Sequence, residues 1–403
     1  MQILFLSGHL PSPRARQGGQ KTSYYVCEFL ARKHELHLLS FVTEDEIQSF
    51  RAEDMVIFRS WDLVPVTKWT RLCGILAAPR LPISIAVRFG EEFRRKLKKL
   101  VRDCSYNVAI LDHTAMWQYK DMLDSVGLVV GSAHDVMSQL WSRRAANAGH
   151  PVWRWLSKRE YKRVVSWERS AVRKLDFVST QCEKDSRLLC ALDPTVPQCP
   201  IQPWHTPAPD INPRATTREP LTVVFWGAMN RSENVDAVRF AITEIVPRIR
   251  AQVPEFRFVV AGSHGDSVRE LREFQHPNVV VTGYVEDIHG LLSRMQVALL
   301  PLRLGAGIKV KTLECMAAGV AVVTTPIGIE GIGGMHGNDY LLGESPDELA
   351  SHVVRLLNSP PECEALGESA RKMVRSEHQF AASLEKFCSF LAEMRVRKQG
   401  MVA

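Results

Sequence analysis

The residues best suited to chemistry lie in one stretch, Gly305-Ala-Gly-Ile-Lys-Val-Lys-Thr-Leu-Glu314. Gly305 and Gly307 let the backbone bend through conformations closed to other residues and approach a ligand closely. The helical pattern that follows, 309–318, opens with amides that lack intrahelical partners and sit at the positive end of the helix dipole, which suits an anion. Lys309 adds a cation there, and Glu314 adds a carboxylate on the same helix. Phosphates at the helix start with a ribose diol on the acid would use all of these groups, so the stretch points to a nucleoside diphosphate. The plainer alternative pairs Glu314 with Lys311 one turn away, for roughly 0.3 kcal/mol.

Strands must hold this loop in place. The apolar run 297–301 reads as a buried strand ahead of it and the β-branched run 320–325 as the strand after its helix. The same alternation fills the chain. Strands are expected at 2–7, 35–42, 55–58, 108–111, 128–131 and 177–180, with a turn-rich loop from Gly8 to Gly19 and a helix over 21–33. After position 220 strands are expected at 221–226, 256–262 and 279–283, with helices at 235–251 and 268–274. Helices at 346–357, 362–376 and 381–397 close the chain, the last carrying Leu384, Phe387, Cys388, Leu391 and Met394 at helical spacing. Seven prolines between Pro194 and Pro213 mark a linker. The expectation is α/β: domain 1–193, linker 194–215, domain 216–376, and a terminal helix within 377–403 that packs back on the first domain. Two doubly wound sheets facing each other across a cleft would put ligands at the carboxyl ends of strands, where both Gly18-Gly19 and Gly305-Ala-Gly307 fall.

Composition narrows the classes. No apolar run is long enough to cross a membrane, and the strand-like start lacks the basic leader of a signal peptide, so a cytoplasmic chain is expected, with association at the cytoplasmic face of a membrane left open. Nine cysteines occur with neither C-x-x-C nor zinc-site spacing. Lys and Arg against Asp and Glu number 30 against 21 over residues 1–200 and 21 against 23 over 201–403, so the excess is +9 in the first half and −2 in the second. The basic residues gather in 88–102 and 153–174, the latter with Trp153, Trp155 and Trp167. Such helices either lie on an anionic membrane or present a solvated face with the tryptophans turned into the core. No nucleic-acid reader motif accompanies the charge. Fingerprints for nicotinamide binding, the P-loop, zincins and hydrolase elbows are missing, as is any Asp-x-Asp pair to clamp a metal on a diphosphate.

Three segments carry a family resemblance: Gly283-Tyr-Val-Glu-Asp287, Leu300 through Gly319, and Val322-Val-Thr-Thr-Pro-Ile-Gly-Ile-Glu-Gly331. In this order they resemble the donor site of group 1, family-four retaining glycosyltransferases with the GT-B fold. The likeness is tight from Phe225 to Glu330. The N-terminal half is looser and is most similar to sugar transferases of bacterial exopolysaccharide and exosortase clusters, through Pro11-Ser-Pro, Gly19, Arg32-Lys-His-Glu35 and Leu175-Asp-Phe-Val-Ser179. The resemblance implies a hexosyltransferase-like enzyme. It would move a sugar from a nucleoside diphosphate donor, a UDP-sugar first, to the hydroxyl of a glycan or lipid-linked glycan, with retention and with neither metal nor cofactor. An epimerase of the same fold and a silent nucleotide-sugar-binding partner are the alternatives. It further implies that Glu314 holds the ribose, the backbone at Tyr284 and Val285 reads the base, and Gly305, Ala306, Gly307, Ile308 and Lys309 hold the diphosphate. Gly18 and Gly19 would approach the phosphates from the first domain, Glu330 and more weakly Arg303 would flank the donor, and His113 would stand near the transferred sugar. His134 matches a more structural position.

Two departures stand out. Relatives often carry a sugar-facing glutamate where this chain has Ala306, and a lysine where it has Asn234. Two phosphates still need cations, so Lys309, with Arg303 or Lys311, is expected to compensate. Taken alone, Lys311 reads as a solvated helix charge.

Overall fold

Strand β1 (Gln2–Ser7) shows how the first sheet is built. Ile3 and Phe5 point into one apolar cluster with Val108, Ile110, Leu128 and Val130, while Leu4 and Leu6 point into another with Ala109, Leu111 and Val129. Burial on both faces is the mark of a parallel sheet covered by crossover helices. The computed structural model describes residues 1–15, 17–200, 218–263 and 274–400. It divides the chain into two units, residues 1–205 with 380–403, and residues 206–379.

In unit 1 the parallel strands β1, β2 (Glu35–Val42), β3 (Ser60–Pro65), β4 (Val108–Asp112), β5 (Leu128–Ala133), β6 (Phe177–Thr180) and β7 (Gln198–Pro200) run in the order β3-β2-β1-β4-β5-β6-β7. The helices between them are α1 (Gly18–Ala31), α2 (Glu44–Ser49), α3 (Lys68–Ala77), α4 (Ile83–Ala86), α5 (Glu91–Asp103), α6 (Met137–Asn147), α7 (Pro151–Val172) and α8 (Glu183–Leu192). Unit 2 has β8 (Thr222–Trp226), β9 (Arg257–Ala261), β10 (Val279–Gly283), β11 (Val297–Leu300), β12 (Ala321–Thr324) and β13 (Leu341–Leu342), in the order β10-β9-β8-β11-β12-β13. Its helices are α9 (Ser232–Phe240), α10 (Val246–Arg250), α11 (Ile288–Arg294), α12 (Val310–Ala317), α13 (Pro346–Asn358) and α14 (Pro360–Glu377). Each unit is the doubly wound α/β sheet expected.

The final helix α15 (Phe380–Gly400) belongs to unit 1. Leu384, Phe387, Leu391 and Met394 enter the cluster of Phe5, Ile110, Val130 and Phe177, and Lys398 pairs with Asp176 at 2.8 Å. The chain thus leaves its first sheet, builds the second, and returns to cover the first.

Four details differ from expectation. The strand expected at 55–58 forms instead at Ser60–Pro65, after a 3-10 turn at Ala52–Met55. Met55 and Phe58 are both buried, but three apart, which is the spacing of a turn; the real strand is an edge whose exposed Ser60 and Trp61 conceal it. Within the expected linker, Gln198–Pro200 pairs in parallel with β6, and an edge tolerates the proline that ends it. The rest of the expected linker, from 201 to 215, lies outside the described residues, as do residues 268–273 of an expected helix. The helix expected at 235–251 starts at Ser232 and widens into one π-helical turn at Ala241–Ile245 just ahead of Pro247, whose ring cannot donate and crowds the preceding turn. Lastly, of the three tryptophans in α7 only Trp167 packs on the core; Trp153 and Trp155 face solvent. In α5, by contrast, Phe93 and Leu97 are buried and the basic residues form a solvated face.

Truncating the α15 anchor tests this arrangement. Phe387→Ala should lower unfolding free energy by about 3 kcal/mol in urea titration, and a loss under about 1 kcal/mol would show that the helix does not cover the sheet.

Candidate functional site

In each sheet the strand order reverses once, between β1 and β4 in unit 1 and between β8 and β11 in unit 2. Loops leaving the carboxyl ends of two such strands diverge to opposite faces and leave a crevice for ligands. Most of the residues singled out in the sequence collect at or beside these two places; Arg303 does not.

In unit 2 the loop after β11 bends through Gly305 and Gly307, at φ of 113° and 69°. Both values lie where only glycine rests without strain. Lys309 precedes α12 with its ammonium folded back under the loop, 3.2 Å from the Ala306 carbonyl and 2.5 Å from that of Gly307, with Glu330 at 4.0 Å. The lysine thus shapes the loop that it was expected to serve. Three threonines bind this loop to its neighbour after β12. Thr312 Oγ1 donates to the Gly328 carbonyl at 2.7 Å, Thr324 Oγ1 to Leu300 at 3.0 Å and Thr325 Oγ1 to Leu302 at 2.5 Å. A side chain at Gly328 would collide with Thr324 Oγ1 and the Leu300 carbonyl, so glycine is required for the stitching. Glu330 is thereby placed beside Lys309, and Glu314 is buried on α12 one turn in from the loop. Ala306 and Ile308 are half-buried.

The loops after β8, β9 and β10 stand in a row along the same edge. Met229 N donates to Ser263 O at 2.8 Å and Gly262 N to Gly283 O at 2.8 Å. Tyr284 and Val285 follow directly, Tyr284 being exposed. Two strand spacings, about 10 Å, separate them from β8. Arg303 goes elsewhere: its guanidinium grips Asp236 at 3.1 and 2.6 Å and lies 4.3 Å from the centre of the Phe240 ring.

Lys311 is not the solvated charge expected. Its ammonium hydrogen-bonds Asn234 Oδ1, while Asn234 Nδ2 donates to the Ala228 carbonyl at 2.8 Å. It lies 5.0 Å from the centre of the Phe225 ring, and a side chain at Gly227 would stand only 3.0 Å from it. Burial and the nearby Arg231 guanidinium push Lys311 down to about 7, against the opposing pull of Glu233. At position 234, where the resemblance calls for a lysine, this chain holds an ammonium against Asn234 from the helix opposite.

In unit 1 the crevice is organised on Asp112, which sequence reading did not single out. It ends β4 in register with Ser7 at the end of β1. The Ser7 and Ser23 hydroxyls stand 2.9 and 2.8 Å from Oδ2, and His134 Nε2 donates to Oδ1 at 2.8 Å. His113 has φ of 72° and stacks on His134, with ring centres 3.9 Å apart and planes 15° from parallel. A quarter of its side chain is exposed, yet Nε2 is enclosed and has no hydrogen-bond partner among the described residues. A Cβ on Gly19 would sit 3.0 Å from His134 Nδ1 and 3.8 Å from His113 Cε1, so this glycine, in the first turn of α1 with Gly18, makes room for the imidazole pair. His9 meets the edge of His113 and joins Glu46 at 3.0 Å and Arg88 at 3.1 Å.

Burial opposes charge on all three central groups, but it does not win at each. It would raise Asp112, yet His134 and His113 together with the hydrogen bonds hold the carboxyl well below its usual range. It would lower His134, yet the Asp112 carboxylate carries the imidazole above its usual value. His113 has burial and cationic His134 both against it, outweighing Asp112, and is driven well below 6.5. The result is an ion pair, Asp112 with His134, supporting a neutral His113. Ligand atoms of the three residues lie within 4.8 Å of one another. Imidazole lone pairs lie in the ring plane, however, so two stacked rings cannot aim theirs at one ion, and the group is built for holding protons.

Residues 220–359, all within unit 2, match the family model for group 1 glycosyl transferases. A protein of the Klebsiella pneumoniae cps region, itself uncharacterised, is 22% identical over 139 residues, which cover 33% of this chain and 36% of that protein. The match therefore spans about a third of the relative's length. Among solved structures, sucrose-phosphate synthase from Thermosynechococcus elongatus superposes with a TM-score of 0.70 at 14% identity, over 98% of this chain and all of that one. Anabaena HepE in complex with UDP gives 0.67 at 12%, with 98% and 100% covered. WaaG, a glycosyltransferase involved in lipopolysaccharide biosynthesis, gives 0.63 at 15%, with 96% and 99% covered. The fold is the two-Rossmann GT-B architecture.

The proton assignment at Asp112 is open to measurement. NMR titration of the imidazoles should put the His134 midpoint above 6.5 and leave His113 neutral below it. Asp112→Asn should pull His134 below 6.5 and destabilise unit 1 by roughly 3 kcal/mol, because one partner of a buried pair is gone.

Proposed function

We propose that this chain is a glycosyltransferase that moves a sugar from a nucleoside diphosphate donor, a UDP-sugar, to the hydroxyl of a glycan or lipid-linked glycan acceptor. The observation that carries the reading is the glycine loop ahead of α12, set at the reversal of the second sheet within a group 1 glycosyl transferase domain. HepE, similar in fold, has been solved with UDP and with UDP-glucose, which supports uridine as the base.

In this reading the row of loops from β10 to β12 holds the nucleotide. The backbone at Tyr284 and Val285 takes the base, Glu314 accepts hydrogen bonds from the ribose hydroxyls, and the amides from Gly305 to Ile308 take the phosphates. Lys309 and Lys311 supply the positive charge. The bond between the anomeric carbon and the phosphate oxygen breaks with its electron pair passing to the diphosphate. The acceptor oxygen bonds to the same carbon on the same face, and its proton passes to the departing phosphate. Cations and amides that grow stronger partners as this charge develops lower the barrier without a metal. Neutral His113, a quarter of whose side chain is exposed, would lie against the transferred sugar.

Purified protein should release UDP slowly from a UDP-sugar in EDTA. An isomeric nucleotide sugar would instead identify an epimerase, and binding without turnover a silent partner. Lys309→Met should lower kcat about 100-fold. Unfolding free energy should fall by no more than about 2 kcal/mol, since the variant removes hydrogen bonds to two loop carbonyls and a long contact with Glu330 while keeping the apolar stem. Unchanged kcat removes the role given to Lys309.

Lys311 gives a pH signature. Its folded value near 7 means that the ammonium is present below pH 7 and lost above it. Donor affinity should therefore be level below pH 7 and fall as pH rises beyond it. Lys311→Arg, which stays charged, should flatten the profile. A flat profile in the unsubstituted protein would separate Lys311 from the diphosphate.

A further inference from the structure

One region of unit 1 wears its apolar side chains outside. In α3 the residues Trp69, Leu72 and Leu76 fall on one stripe, and Trp69 and Leu76 are each 70% exposed. The opposite face carries Gly74, where a Cβ would lie 2.5 Å from the Ala86 carbonyl and 2.7 Å from that of Phe89. The helix therefore presses its backbone onto segment 86–89 and turns its apolar stripe to solvent, the reverse of an ordinary surface helix.

The exposed stripe has a neighbour. At the start of α7, Val152, Trp153, Trp155 and Leu156 are exposed, Trp153 by 65% and Trp155 by 60%. Further along α7, Glu160 accepts the Ile83 amide, and the Arg163 guanidinium donates to the Pro79 and Leu81 carbonyls. These bonds pin α7 to the α3–α4 connection, and Ile83 is itself exposed between them. Exposed apolar side chains gathered in one region of a folded domain mark an interaction site.

Charge identifies the partner. Segments 68–90 and 151–163 hold nine Lys and Arg residues and a single acid, Glu160, which is buried. A second copy of this chain would set this cationic rim against itself, whereas a self-complementary interface needs both signs. A surface of anionic headgroups over acyl chains meets both halves of the pattern, because tryptophans settle at that boundary and each basic residue gains from the surface potential.

We infer that α3, α4 and the first turns of α7 form a docking face for an anionic lipid bilayer. Trp69, Leu72 and Leu76 of α3 insert together with the projecting tip of α7, which carries Trp153 and Trp155 on its two sides, while Lys158, Arg159 and Lys162 stay at headgroup level. The inference stands apart from the sugar-transfer reading, since none of these side chains belongs to either crevice.

Co-sedimentation with vesicles tests it. Full-length protein should bind phosphatidylcholine vesicles containing phosphatidylglycerol, bind vesicles of phosphatidylcholine alone far more weakly, and be released by high salt. Replacing Lys158, Arg159 and Lys162 with Gln should weaken binding roughly 100-fold. The variant Trp69→Ser with Trp153→Ser and Trp155→Ser should also lose binding, with an unchanged melting temperature because these residues are exposed. Wild-type binding by that variant, equal binding to neutral vesicles, or no binding at all overturns the proposal. So does a lipid-independent dimer in light scattering that the serine variant abolishes, which would assign the face to a second copy.

Discussion

Where two adjacent parallel strands send their crossovers to opposite faces of a sheet, nothing covers the space beyond their carboxyl ends. This constraint governs both crevices. Ser7 and Asp112 end the two strands at the reversal in unit 1, and Trp226 and Leu300 end those in unit 2. The side chains and amides at these ends are the ones a ligand can reach without displacing core. The sheets behind them, apolar on both faces, keep those ends fixed.

The two crevices solve opposite electrostatic problems. In unit 2 positive potential is gathered, from the amides at the opening of α12 and two lysines kept close to the loop. One lysine spends its hydrogen bonds on the carbonyls of the loop itself, and the other is anchored by Asn234 on a different helix. Position 234 carries no cation itself, yet an ammonium reaches it from α12, and Gly227 leaves room for it. In unit 1 the task is to keep one imidazole neutral in an enclosed place. The ionised Asp112 stabilises charge on His134, and charged His134 then suppresses charge on the stacked His113.

Sequence periodicity captured what burial dictates. Strands buried on both faces were legible within a residue or two, and α15 announced itself through Leu384, Phe387, Leu391 and Met394. The glycine loop was legible because its chemistry is local: two glycines, a lysine and an acid on consecutive turns. Asp112 was not, because its meaning comes from a register that places it beside Ser7, more than a hundred positions away. Lys311 misled for a related reason. Two residues from Lys309, it falls on another side of α12, and only the tertiary position of Asn234 and Phe225 makes that side an interior one.

The exposed stripe of α3 was hidden by a more general ambiguity. An apolar residue every three or four positions predicts that one helix face meets something apolar, and the ordinary partner is the protein's own core. Which partner is met depends on the other face. Gly74 decides the matter here, since backbone contact at 86–89 is possible only where no side chain intervenes, and it commits that face to the interior. In α7 the bonds of Glu160 and Arg163 fix the helix against the α3–α4 connection, and its first turns, with Trp153 and Trp155, run on past that contact into solvent. Polar and glycine contacts thus set the orientation, and the apolar residues are left facing water.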